Sequence, residues 1–198
     1  MIEKQDGLLI VISGPSGVGK GTVCSRLAER EDDVFISVSA TTRQPRNGEA
    51  DGVNYFFYSE DKFKEMIAND EFMEWAVFCD NYYGTPKKAV FDKLKEGKNV
   101  ILEIDVQGAL KVKSKYPEGV YIFILPPSKD ELKARLSGRG TESEEVINMR
   151  LAASVGELEQ CKKYNYVVVN DTVENATDKV MSIISAEKAR IERCKINF

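Results

Sequence analysis

Gly14-Pro15-Ser16-Gly17-Val18-Gly19-Lys20 stands directly behind the apolar run Leu8–Ser13 and directly before a helical pattern reaching Arg30. No other stretch constrains the fold so tightly. Gly-x-x-x-x-Gly-Lys between a strand and a helix is the signature of a loop that wraps a phosphate. Glycines let successive backbone N–H groups curl inward around an anion. The helix that follows points its positive end at the same place, and Lys20 adds a full charge for the outer phosphate oxygens. A glycine-rich turn with an incidental lysine is the bland alternative; strand, spacing and helix together outweigh it. One position departs from the usual pattern. Gly21 replaces the common Ser or Thr that helps hold Mg²⁺, and Thr22 follows it. The metal would then rest mainly on nucleotide phosphates, water and a carboxylate elsewhere.

A phosphate loop of this kind needs a parallel sheet behind it, and the rest of the chain supplies one. Short continuous apolar runs recur at Leu8–Ser13, Val100–Ile104, Val120–Leu125 and Tyr166–Val169, as expected of strands buried on both faces. Helical patterns lie between them: Val18–Arg30, Lys87–Glu96, Val106–Lys115, Lys129–Ser137, Ser143–Lys163 and Glu174–Arg193. The fifth carries a stripe of Ile147, Leu151, Val155 and Leu158, and the last one of Ala176, Val180, Ile183, Ile184 and Ile191. The alternation predicts a doubly wound α/β core with right-handed crossovers. Residues 39–85 break the rhythm with most of the aromatic residues, Pro45, three glycines and one helical patch at Asp61–Asn69. They predict a small α+β insertion, in which Phe78 and Trp75 read as packing residues. Residues 129–150, polar and glycine-bearing in the middle, predict a lid. The core is expected over 1–38, 86–128 and 151–198.

Composition removes whole classes of chemistry. The 198 residues contain no histidine, which excludes Ser-His-Asp and Cys-His triads and His-ligated metals. The net charge of −4 argues against bulk binding of nucleic acid. No apolar run approaches the ~20 residues of a membrane span. Cys24, Cys79, Cys161 and Cys194 form no C-x-x-C pair. With no leader-like start, they read as reduced thiols of a cytoplasmic protein.

Two further clusters suggest a second phosphate and a base. Ser39–Arg46 reads SATTRQPR, an extended polar loop in which Arg43 and Arg46 suit forked recognition of a phosphate; alone it equally suits a solvated basic loop. Downstream stand Tyr55, Glu74–Trp75 and the run Asn81–Thr85, NYYGT. Tyrosine hydroxyls complete phosphate sites, and carboxylates accept from the donor edge of a base. Val100–Asp105, VILEID, is an apolar strand ending in acids, the arrangement that brings a carboxylate to a nucleotide's phosphates. Glu103, inside the apolar run, is expected to be buried and in need of a partner. Arg135 and Arg139 share one helical face, where Glu131 offers Arg135 an ordinary salt bridge.

SATTRQPR, EFMEWA, NYYGT, LEIDVQG, LSGRGTE and VVVND, in this order behind GPSGVGKGT, resemble the guanylate kinases over nearly the whole chain. The resemblance implies phosphoryl transfer from ATP to GMP, and to dGMP, with Mg²⁺. It places ATP on Gly14, Pro15, Ser16, Gly17, Val18, Gly19, Lys20, Gly21 and Thr22, with Arg139 and Asn170 near adenine. It places the GMP phosphate on Ser39, Arg43, Arg46, Tyr55 and Tyr83, and guanine on Glu74, Thr85 and Asp105. Glu103 faces the metal through water, and Lys20, Arg43, Arg135 and Arg150 act on the transferring phosphoryl. The expected partners are small molecules, with no nucleic acid and no membrane. A kinase for another nucleoside monophosphate, or a non-catalytic protein-binding module built on the same domain, are the competing readings.

Overall fold

The computed structural model describes residues 6–137 and 144–194. Its centre is a five-stranded, all-parallel sheet in the order β2-β7-β1-β8-β9, comprising β1 Leu9–Ser13, β2 Val34–Ile36, β7 Asn99–Glu103, β8 Val120–Leu125 and β9 Tyr166–Val169. Four of these were predicted. β2 is new: three half-buried residues at the sheet edge, too short to stand out as a run.

Side chains alternate through the sheet, so each apolar run feeds two cores. Ile10 and Ile12 face α1 (Lys20–Arg30) and α7 (Val173–Lys188), packing on Val23, Leu27, Val180 and Ile184. Leu9 and Val11 face α3 (Lys87–Lys95) and α4 (Val106–Lys115), packing on Val90, Ala109 and Val112. Each fully buried Ile or Leu of this kind is worth about 1.5–3 kcal/mol. That two-sided burial is why the runs are continuous rather than alternating.

Residues 40–86 build a second sheet, β4-β3-β6-β5, from β3 Ala40–Thr41, β4 Phe56–Phe57, β5 Phe72–Phe78 and β6 Asn81–Pro86. The predicted helix is α2, Glu60–Ala68, capped by Ser59, whose hydroxyl accepts from Lys62 N–H. Phe63, Met66, Phe72 and Ala40 form its small core, with the Phe63 and Phe72 rings stacked at 4.3 Å. A register shift between Phe72 and Trp75 buries Phe72, Met73 and Glu74 consecutively, as a bulge does when it re-aims one side chain.

Several expectations give way. α1 begins at Lys20, because Val18 is taken up in a turn with its N–H on the Pro15 carbonyl. α7 ends at Lys188, and Ile191 is exposed on a short 3₁₀ turn. Val155, on α6 (Glu144–Glu159), is also exposed. Phe78 is not core: it is 66% exposed near the tip of the β5–β6 hairpin, and Trp75 is 39% exposed. The rim of the small sheet is too thin to bury them. A ring of Trp75 is instead flanked by Tyr82 and by the Lys111 ammonium.

Candidate active site

The carboxyl ends of β1, β7, β8 and β9 share one edge of the sheet, and the chemistry-bearing loops leave from there, as in open parallel sheets generally. The phosphate loop is held by close approach. Gly14 has φ +148° and Gly19 φ +93°, and a Cβ on them would stand 2.4 Å from the Ile124 carbonyl and 2.5 Å from Asn170 Nδ2. Only glycine fits there. Lys20 Nζ donates to the carbonyls of Gly14 at 2.7 Å and Pro15 at 3.2 Å, which folds the ammonium back over the loop. Burial pulls its pKa below the ordinary lysine value, while Glu103, Glu157 and Asp105 oppose that shift.

Glu103 closes β7 beside this lysine. Contrary to expectation it is exposed, standing at the cleft edge rather than inside the core; desolvation by the cleft raises its pKa and Lys20 lowers it. Its two oxygens lie 3.4 and 3.5 Å from where a Gly21 Cβ would be. The carboxylate thus occupies the neighbourhood into which a Ser or Thr at position 21 would project. An oxygen donor of this kind suits a hard cation that keeps most of its water. Among the described residues no group of three or more acids or cysteines forms a metal cage.

Arg135, on α5 (Lys129–Ser137), donates to Glu131 at 2.9 Å, as the plain salt-bridge reading expected, but also to the carbonyls of Val18 at 3.3 Å and Asn170 at 3.1 Å. It therefore stitches the phosphate loop to the end of β9. Asn170 donates to the Val18 carbonyl at 2.8 Å, and its Oδ1 is buried without a partner among the described residues. Gly19, Thr22, Arg135 and Asn170 line a cavity of about 320 Å³. Arg150 lies on α6, half-buried and engaged with neighbouring groups. Arg139 lies outside the described residues.

Across the cleft, Ser39, Tyr55 and Glu103 line one cavity of about 390 Å³. Arg43 sits over the Tyr55 ring at 5.4 Å, and Tyr55 meets Tyr83 edge-on at 6.1 Å. Arg43 is already engaged: its Nη1 and Nη2 donate to the two carboxylate oxygens of Glu49, each at 2.9 Å. The Arg46 backbone N–H adds a third bond to Glu49 at 2.7 Å, while the Arg46 side chain is exposed. The Arg43 guanidinium holds the Glu49 carboxyl down at about 2.

Deeper in the same region, Thr85 Oγ1 donates to Glu74 Oε1 at 2.9 Å, both residues being buried. Asp105 caps α4 through Oδ1, which accepts from Gly108 N–H at 2.7 Å. A Cβ on Gly108 would stand 3.1 Å from Glu74 and 3.4 Å from Asp105, so the two carboxylates converge over that glycine. Burial raises the Glu74 pKa, and Asp105 adds to the rise against the Thr85 hydrogen bond.

A family model described as guanylate kinase matches residues 6–187. The chain belongs to the guanylate kinase family. It is 61% identical over 192 residues to a guanylate kinase of Caldanaerobacter subterraneus subsp. tengcongensis, covering 97% of this chain and 93% of that one. It is 56% identical to a guanylate kinase of Halalkalibacterium halodurans, covering 97% and 94%. The crystal structure of a guanylate kinase from Anaplasma phagocytophilum superposes with a TM-score of 0.78 at 35% identity, covering 98% of this chain and 92% of that one. No described helix is long and apolar enough to cross a membrane.

Sequence reading missed two acids of this family site. Glu49 is signalled only by lying six residues after Arg43 around a glycine turn. Glu157, on α6, stands near the Ser16 amide and bears electrostatically on Lys20; an acid on an amphipathic helix carries no mark that would have singled it out.

Proposed function

We propose that this chain transfers the γ-phosphoryl group of ATP to GMP, giving ADP and GDP, that it accepts dGMP in the same site, and that it works with Mg²⁺ in the cytoplasm. The observation that carries the reading is the convergence of Glu74, Thr85 and Asp105. A buried carboxylate whose hydrogen bond comes from a hydroxyl is costly on its own. Guanine's N1–H and N2–H₂ donors match two converging acceptors; adenine presents an acceptor at N1 and lacks the 2-amino group.

In this reading residues 39–85 bind the acceptor, residues 129–150 form the lid, and the remainder is the core. Ser39, Arg43, Arg46, Tyr55 and Tyr83 hold the GMP phosphate. The backbone of residues 14–22 and Lys20 hold the ATP phosphates, and Asn170 Oδ1 accepts from the adenine amino group, with Arg139 also near the adenine. Glu103, acting through water, would help hold Mg²⁺ on the nucleotide phosphates, where the ion would supply neutralisation of their charge. Lys20, Arg43, Arg135 and Arg150 then stabilise the charge that spreads over the transferring group. Closing the cleft brings the acceptor oxygen into line and excludes water, so no covalent intermediate and no histidine is needed. ADP formation measured with GMP, AMP, UMP and dTMP tests the assignment. GMP should be preferred by about 10⁴-fold; comparable rates with the four acceptors would overturn it.

A further inference from the structure

Three buried side-chain polar atoms lack a hydrogen-bond partner among the described residues: Ser13 Oγ, Tyr164 OH and Asn170 Oδ1. The proposed adenine contact accounts for the last. The first two are neighbours, and nothing in the reaction described above uses them.

Ser13 is the final residue of β1, wholly buried, and immediately precedes the phosphate loop. In the parallel ladder it pairs with Phe123 of β8. The Tyr164 ring stands edge-on to Phe123, 5.0 Å away at 78°, so the tyrosine reaches across β8 towards β1. Burial is the main reason its pKa is pushed up to about 12; the hydroxyl approaches Ser13 Oγ closely enough for that group to oppose the shift without completing a hydrogen bond, while Asp105 and Glu157 add to the rise. It is thus a neutral donor throughout the working range. Asp105 uses Oδ1 on the Gly108 amide, and a carboxylate has a second oxygen with which to accept from another donor.

Buried hydroxyls are seldom left unsatisfied, and two together near an acid suit one ordered water with three or four partners. We propose that Ser13 and Tyr164 form a water site beneath the phosphate loop whose purpose is to position Asp105 for the acceptor base. The water accepts from Tyr164 and donates towards the Asp105 carboxylate, with Ser13 completing its shell. Both hydroxyls are positioning groups; neither touches substrate. The inference rests on Asp105 reading guanine.

Tyr164→Phe keeps the ring and its contact with Phe123 and deletes only the hydroxyl. It should raise the GMP KM about tenfold while leaving the ATP KM and the thermal midpoint within error, a split that a merely structural role would not produce. Ser13→Ala should do the same. The double variant should be no worse than either single one, because both lose the same water. A high-resolution crystal structure should show that water in the wild type and not in Tyr164→Phe. Unchanged GMP KM in both single variants, additive losses, or a rise in the ATP KM instead would each overturn the proposal. If wild type showed no preference for GMP, the base-reading assignment itself would fail, and that result is visible before any variant is made.

Discussion

The two halves of the cleft are built in different ways. On the side proposed for the donor, the site is made of backbone. Gly14 and Gly19 are packed so closely against Ile124 and Asn170 that no other residue fits, and Arg135 ties the loop's Val18 carbonyl to Asn170. On the side proposed for the acceptor, the site is made of side chains that already have protein partners. Arg43 is forked onto Glu49, and Glu74 holds the Thr85 hydroxyl. A backbone cradle recognises phosphate in general and is rigid. A side-chain site discriminates one base from another, but its groups must be held in place by neighbours or exchange partners when the ligand arrives. Under the proposed function, the first half would supply the rate and the second the selectivity.

The sharpest way to break this contrast is Lys20→Ala. Turnover should fall by about 10³-fold, the scale of losing one preorganised charge at the transferring group, while the GMP-over-AMP preference stays. The thermal midpoint should hold, because Lys20 bonds only to loop carbonyls. A large drop in preference would show that the halves are not separable.

Glu74→Gln should do the reverse. The GMP kcat/KM should fall by about 10²-fold or more, with the feeble AMP activity level or higher, so the ratio collapses while the fold is kept. Equal losses with both acceptors would mean Glu74 only supports the insertion. pH sharpens the same point. Burial raises the Glu74 pKa above its unfolded value, so the folded chain binds a proton more readily than the unfolded chain. This contribution to stability therefore increases as pH falls through the raised pKa. Guanine needs the ionised carboxylate, so the GMP KM should rise over that same window. Stability and affinity should move in opposite senses on acidification, and Glu74→Gln should flatten both profiles.

A smaller effect is expected at Glu49. Glu49→Gln loosens the forked bond that orients Arg43 and should raise the GMP KM by roughly an order of magnitude, the scale of one charge-assisted hydrogen bond, with the ATP KM unchanged. Because Arg43 holds the Glu49 carboxyl at about 2, the wild-type bridge is intact above about pH 4, and the ratio of variant to wild type should not vary with pH there. An unchanged KM would show that Arg43 orients itself.

Phe78→Ser should matter least. A core phenylalanine costs about 3–5 kcal/mol when truncated, but this one is two-thirds exposed. Its loss should stay within about 0.5 kcal/mol in chemical denaturation and leave both kinetic constants alone. A cost of core size would mean the hairpin tip is covered in solution.

Residue by residue, the donor half was nearly legible from the chain alone. Gly14 to Lys20 are contiguous, their geometry is set by backbone conformation, and the strand before and helix after them are local. The acceptor half was legible only as a set of candidates. Glu74, Thr85 and Asp105 are spread over three elements, and nothing in their spacing states that a register shift in β5 and the cap of α4 aim them at one point. Expectations drawn from hydrophobicity failed where burial depends on distant neighbours: Phe78 and Val155 lie on exposed rims, and Glu103 emerges from an apolar strand into the cleft.

By itself, then, the sequence determined the phosphate loop, the parallel core behind it and the membership of a family, because turn chemistry, strand length and motif order are properties of short contiguous stretches. The tertiary structure alone decided that Glu157 approaches the loop and that Ser13 and Tyr164 meet beneath it. Those pairings join residues brought together only by crossovers and by β-ladders. Their energies depend on distance in space and on exclusion of water, and neither quantity is written in the order of residues along the chain.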